Sequence, residues 1–188
     1  KRSTPVPAKS ENKGAAVKPV FKSKVITGKT KGNSVAIDVE LGNAKELFLV
    51  ATDGGNGFGC DWADWAEPRL TGPNGEKKLT DLKWKSASAG FGQVHVNKNS
   101  GGQTMRIDGK EIAYGIGTHA NSVIAFDIPA GYTHFKAVGG LDNGGTDQGA
   151  CGDVSSVQFA VYTQKPPKPT GSDGGGGGSR EVADALDG

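Results

Sequence analysis

The sequence predicts an all-β protein, a jelly-roll β-sandwich carried between flexible N- and C-terminal linkers. Short runs in which apolar and smaller or polar side chains alternate follow one another through the middle of the chain, separated by turn residues. Glycine is abundant, at 31 residues, and methionine occurs once, a balance that suits turns better than helices. Many short strands with frequent turns point to a sandwich or jelly roll.

Residues 1–22 are rich in Lys, Pro, Ser and Ala without apolar periodicity and read as a flexible basic linker. The sandwich is expected over 23–163. Its strand signals are Ser34–Val39, Glu46–Thr52, Val94–Asn97, Thr104–Ile107, Val123–Ile128, Phe135–Gly139 and Val157–Thr163. In VIAFDI and VQFAVY one set of side chains suits a core and the other a wet or covered face. Residues 164–179, QKPPKPTGSDGGGGGS, combine a stiff proline segment with a flexible glycine run and form a second linker. Residues 180–188 regain a helix-like pattern through Val182, Ala185 and Leu186. They read as the start of a following domain, so a fused neighbour is expected.

An internal repeat supports the sandwich. The segment NSVAIDVELGNAKELFLVATDGGN from Asn33 aligns with NSVIAFDIPAGYTHFKAVGGLDNGG from Asn121, each copy being strand, turn, strand and acidic glycine loop. The following loops place Cys60 and Cys151 in corresponding positions.

Charge excludes some functions. The net charge is +2, and Lys1, Arg2, Lys9, Lys13, Lys18, Lys22 and Lys24 crowd the start, so the rest of the chain is acidic. A nucleic-acid binder needs a basic face with interleaved aromatics on the folded domain, and this sequence offers neither. No apolar run approaches the roughly 20 residues that span a bilayer, and KRSTPVPAKS lacks a signal-peptide core. Membrane insertion is therefore not expected, and the chain reads as a mature or trimmed fragment.

Catalytic motifs do not assemble. Gly115-Ile116-Gly117-Thr118-His119-Ala120 fits G-x-G-x-x-A, but a strand pattern follows where a dinucleotide site opens a helix. Gly28-Lys29-Thr30 lacks the leading glycine of a phosphate loop. His95, His119 and His134 lie in separate strand-like contexts, with no paired acid and base and no nucleophile elbow. The protein is read as a non-enzyme. A metal enzyme built on the acidic loops would need at least three convergent ligands and ranks last.

The segment Asp53–Trp65, DGGNGFGCDWADW, combines carboxylates with two indoles. A sugar site needs both, as polar groups for hydroxyls and a flat apolar face for pyranose C–H groups. Candidate sugar contacts are Asp53, Asp61, Trp62, Trp65, His119, Asp142 and Asn143. Trp62 is the ring expected at the surface, whereas Trp65 either stacks on sugar or fills the core. His119 either donates to a hydroxyl or satisfies a backbone carbonyl. Asp142 and Asp147 offer hard oxygens beside glycines, which suits a structural calcium or, equally, a turn. Cys60 and Cys151 either form a disulfide across the sandwich or remain free thiols.

The segments LTDLKW at Leu79–Trp84, SASAGFGQVHVNKNSGG, IAYGIGTHANSVIAFDIPAGYTHFKAVGGLDN and VSSVQFAVYT carry ordered landmarks. With them, Leu79–Thr163 resembles the novel carbohydrate-binding module family, also called family 51 of the carbohydrate-binding modules. The resemblance implies a jelly roll that adds recognition of galactose-containing glycans to secreted enzymes. Trp84, His119 and Asp142 fall on the family's landmarks, as fold-defining or sugar-touching residues. The upstream loop, the repeat and the C-terminal linker look like modules in large planctomycete-type surface proteins. Asn97, Gly140 and the lengthened loop Gly144–Asp153 depart from the common pattern.

The reading that results is non-catalytic, lectin-like binding of galactose-type glycans, which targets a fused or associated domain to carbohydrate. The protein is then secreted, periplasmic or at the cell surface, and requires no cofactor, a structural calcium being an option and not a requirement. The alternative is a structural or protein-docking β-sandwich in a surface assembly, without sugar binding.

Overall fold

The structure is a computed structural model that describes residues 16–169 and 180–182. In chain order the strands are β1 (Phe21–Lys22), β2 (Ile26–Thr27), β3 (Ser34–Glu40), β4 (Glu46–Thr52), β5 (Trp62–Gly72), β6 (Gly75–Lys78), β7 (Ser86–Ala89) and β8 (His95–Val96). They continue with β9 (Arg106–Ile107), β10 (Lys110–Glu111), β11 (Gly115–His119), β12 (Ser122–Asp127), β13 (His134–Leu141), β14 (Ser156–Tyr162) and β15 (Arg180–Val182). Two single-turn helices, α1 (Asn143–Thr146) and α2 (Gly149–Asp153), lie between β13 and β14.

One sheet runs β1-β14-β4-β12-β7-β15, with β2 also on β14. The other runs β3-β13-β5-β11-β8, with β6 on β5. The pairings within both sheets are antiparallel. From β3 onward the chain passes back and forth between the sheets, the wrapping of a jelly roll, so the predicted all-β sandwich is the fold observed.

Alternation along the strands builds the core. Leu47, Leu49 and Ala51 of β4 and Ile124 and Phe126 of β12 meet Phe135 and Ala137 of β13 and Ala63 and Trp65 of β5. Trp65 is fully buried, with ring centroids 5.0 Å from Phe159 and 6.3 Å from Phe135. Gly139 makes room for this cluster, since a Cβ there would stand 2.8 Å from the Phe159 ring. Truncating a core aromatic of this kind costs about 3–5 kcal/mol.

The repeat is a pseudo-two-fold relation that exchanges the sheets. Its alignment equates β3 with β12 and β4 with β13, and the structure pairs β3 with β13 and β4 with β12. The relation extends to β5 and β14, which pair with β13 and β4 respectively. Cys60 and Cys151, equivalent in the repeat, form a disulfide, so the bond joins a position to its own counterpart across that relation.

Some elements differ from the sequence reading. Trp62–Gly72, expected in part as a loop, is the longest strand and sits inside its sheet, between β13 and β11. Phe21–Lys22, assigned to the linker, pairs with Val161 and Ala160. Arg180–Val182, expected to begin a helix-like segment of a following domain, is a strand on β7. Residues 1–15 and 170–179 of the expected linkers, and residues 183–188, lie outside the described residues.

The outer face of the β5-containing sheet is covered by the segment that includes Lys98, Asn99, Met105 and Ile107. A Cβ on Gly115 would crowd Met105, one on Gly117 would run into the Lys98 carbonyl, and one on Gly140 would stand 2.5 Å from Ile107. The glycines of the G-I-G-T-H landmark are therefore the floor on which this cover lies.

Candidate functional site

At the loop end of the sandwich, β5 and β11 pair so that Trp62 stands directly opposite His119. Directly opposed residues project from the same face of a sheet, so the two side chains share the outer face. The Trp62 indole is half-buried and clamped, because a Cβ on Gly101 would approach its Cη2 to 2.7 Å and one on Gly144 would overlap its Cζ3.

The His119 Nδ1 lies 2.7 Å from the Ala120 carbonyl oxygen. A carbonyl only accepts, so Nδ1 carries the proton and donates. Burial holds the imidazole below its ordinary pKa, against the opposing effect of this hydrogen bond. Phe58 meets the ring edge-on at 5.9 Å between centroids, and Phe91 lies 5.8 Å away at a tilt of 57°. Phe91 is 67% exposed, which makes it a surface ring backed by His119.

Sequence reasoning missed Phe58 and Phe91. Each is the centre of a Gly-Phe-Gly tripeptide, Gly57-Phe58-Gly59 and Gly90-Phe91-Gly92. An aromatic held between glycines in a turn-rich segment has little strand or helix to pack into, and that signal could have found them.

The carboxylates have other partners. Asp142 Oδ1 accepts from Asn99 Nδ2 at 3.0 Å and from the Gly144 N–H at 2.7 Å, and its Oδ2 accepts from the Arg106 N–H at 2.9 Å. It thereby ties the cover segment and the start of α1 to the end of β13. These N–H donors bond to both oxygens of the carboxylate that the sequence offered for sugar or calcium. Asn143 Oδ1 accepts from the Gly109 N–H at 2.8 Å, and the exposed Asp147 lies 3.4 Å from Asn143 Nδ2. Among the described residues no group of three or more His, Cys, Asp or Glu side chains assembles to hold a metal.

Asp53 is buried and its Oδ1 accepts from the Gly55 N–H at 2.8 Å. Asp61 is fully buried, with Oδ1 accepting from the Ser156 N–H at 2.8 Å and Oδ2 unpartnered. Burial, reinforced by the charge of Asp53 and opposed by the Ser156 hydrogen bond, pushes Asp61 up to about 8. Asp64, on β5 one residue from Trp65, has no donor for either oxygen when ionised. Burial first, then the Asp142 carboxylate beside it, raises its pKa well above the usual carboxylate range.

Of the predicted contacts, the structure thus brings together Trp62 and His119. Trp65 lies in the core with no face for a ligand. Asp53, Asp61, Asp142 and Asn143 hold loops in place behind the rings. A separate groove of about 370 Å³, lined by residues including Ala66, Glu67, Ile107, Glu111 and Val138, contains no aromatic side chain to stack on a sugar.

The rings thus gather at one loop end of an antiparallel sandwich. The chain belongs to the NPCBM/NEW2 domain family, which matches residues 14–71 and 75–172. This is a family of binding modules and not of catalysts, and its general ligand class is carbohydrate. No curated protein and no solved structure matches the chain.

Proposed function

We propose that the protein binds galactose-type glycans at the face formed by Phe91, Phe58, Trp62 and His119, and that this tethers a fused or associated domain to carbohydrate. The observation that carries the reading is the exposed Phe91 ring packed against a neutral His119. An aromatic plane suits the C–H face of a pyranose, and the imidazole supplies one oriented polar group beside it. Such binding needs no proton transfer. Each site is weak, because hydroxyls exchange water for protein partners at little net gain, and several copies would act by avidity.

The Cys60–Cys151 bond supports an oxidising location, outside the cytoplasm or on the cell surface. The decisive experiment is a glycan array with the full chain and its Phe91→Ala variant, with free galactose as competitor. Retention that galactose displaces and the variant lacks supports the reading. A blank array with folded protein would move the function to protein docking, for which exposed Phe91 and Val154 offer apolar contacts.

A further inference from the structure

Resting on that reading, we infer that His119 recognises its ligand as a hydrogen-bond acceptor: Nε2 of the neutral ring takes the proton of one sugar hydroxyl, and acid switches binding off. The geometry fixes the direction of the bond. With Nδ1–H committed to the Ala120 carbonyl at 2.7 Å, the neutral imidazole has a lone pair and no proton on Nε2. Among the described residues, the sealed side-chain atoms without a hydrogen bond are Asp61 Oδ2, both oxygens of Asp64 and Trp65 Nε1. His119 Nε2 also lacks a protein partner but is not among these sealed atoms. Although the residue is only 5% exposed, this unpartnered acceptor lies between two phenyl rings, beside the Phe91 face on which the sugar would lie.

Protonation reverses the polarity of this atom. An imidazolium presents N–H from both nitrogens, and a neutral sugar laid over it would seal a cation from water, which disfavours the complex. The ionisable groups on the elements packed around the ring are Asp53 and Asp61 in the β4–β5 loop, Asp64 on β5 and His95 on β8, both opposite Gly117, and Lys98, whose carbonyl lies against Gly117. No charged neighbour contributes to the downward shift of His119, which comes from burial. The site therefore selects a ligand that offers a hydroxyl proton there, and a glycan with an ether oxygen in that place is rejected.

The test measures the affinity of the full chain for methyl β-galactoside by calorimetry from pH 7.5 to 5.0, beside two-bond proton–nitrogen spectra of the imidazoles. Expected are a proton on His119 Nδ1 and an affinity that is level at neutral pH. Once the ring protonates below its ordinary value of 6.5, the affinity should fall about tenfold per pH unit. His119→Gln, which keeps a side-chain acceptor, should bind without this pH dependence. A proton on Nε2, or wild-type affinity level to pH 5.0, overturns the inference. Absence of galactoside binding at every pH would instead remove the galactose reading, and the tautomer spectrum would still decide whether His119 offers an acceptor.

Discussion

Trp62 and His119 face each other across β5 and β11, yet their surroundings make them unlike. Trp62 is wedged between Gly101 and Gly144 and is held rigidly at the rim. His119 lies between Phe58 and Phe91, and only the second of these rings is largely in solvent. Under the proposed reading, ligand contact falls on Phe91 more than on either residue of the pair.

Phe91→Ala should weaken glycan binding about tenfold, or roughly 1.4 kcal/mol. Because the ring is 67% exposed, the thermal midpoint should stay within about 2 °C of wild type. Calorimetric titration and thermal melting on the same samples separate a lost platform from a lost fold.

Opening the bridge between Cys60 and Cys151, which are 91 residues apart in sequence, should cost about 4–5 kcal/mol in the chain-entropy account. Urea unfolding of the Cys60→Ser, Cys151→Ser double variant should show it, and reductant should move wild type toward the variant. A change of under 1 kcal/mol would mean that the unfolded chain is already compact around these loops.

Asp142→Ala removes one of the two acceptors of the Asn99 amide, which also donates to the Thr104 carbonyl, and the acceptor of the Arg106 and Gly144 N–H groups. Only the Asn99 bond is buried and the other two donors can turn to water, so the loss should be about 1–3 kcal/mol in denaturant titration. Chelation of divalent cations should leave glycan retention unchanged, since N–H donors already bond to both oxygens of Asp142. Loss of retention with chelator would place a cation at the loops after all.

Asp61 is raised from 3.8 to about 8 in the folded protein, so folding favours its protonated form. Its contribution is fully present below pH 3.8 and declines as pH rises toward 8, by about 1.4 kcal/mol per pH unit. Asp64 acts in the same direction. Asp61→Asn keeps an oxygen for the Ser156 N–H and should reduce the fall in stability between pH 5 and pH 8, without flattening it. Urea midpoints across that range provide the check.

Where an apolar run or an alternation was bounded by turns, the strands were legible: Glu46–Thr52 and Val123–Ile128 read as strands and are the paired β4 and β12. The central β5 was obscured because WADWAEPRLTG mixes acids, Arg69 and Pro68 into a strand whose outer face lies under other chain segments. Periodicity assumes that a wet face explains polar residues, and Asp64 is polar on a dry one. In the site, Trp62 and His119 were recognisable by type. Asp142 was read as a ligand because its partner Asn99 is 43 residues away, and sequence does not reveal which donors a carboxylate meets. Trp65 and Trp62 are three residues apart on one strand, and the parity of their positions sends the first inward and the second outward.

The bond between Cys60 and Cys151 also governs what cleavage can do. A protease that cuts the exposed Phe91–Gln93 stretch, or any other peptide bond between the two cysteines, leaves one cysteine in each fragment. Those fragments also remain woven together, since β3 and β4 lie before the cut and β12, β13 and β14, with which they pair, lie after it. A nicked molecule would stay in one piece, with both halves of the chain still attached.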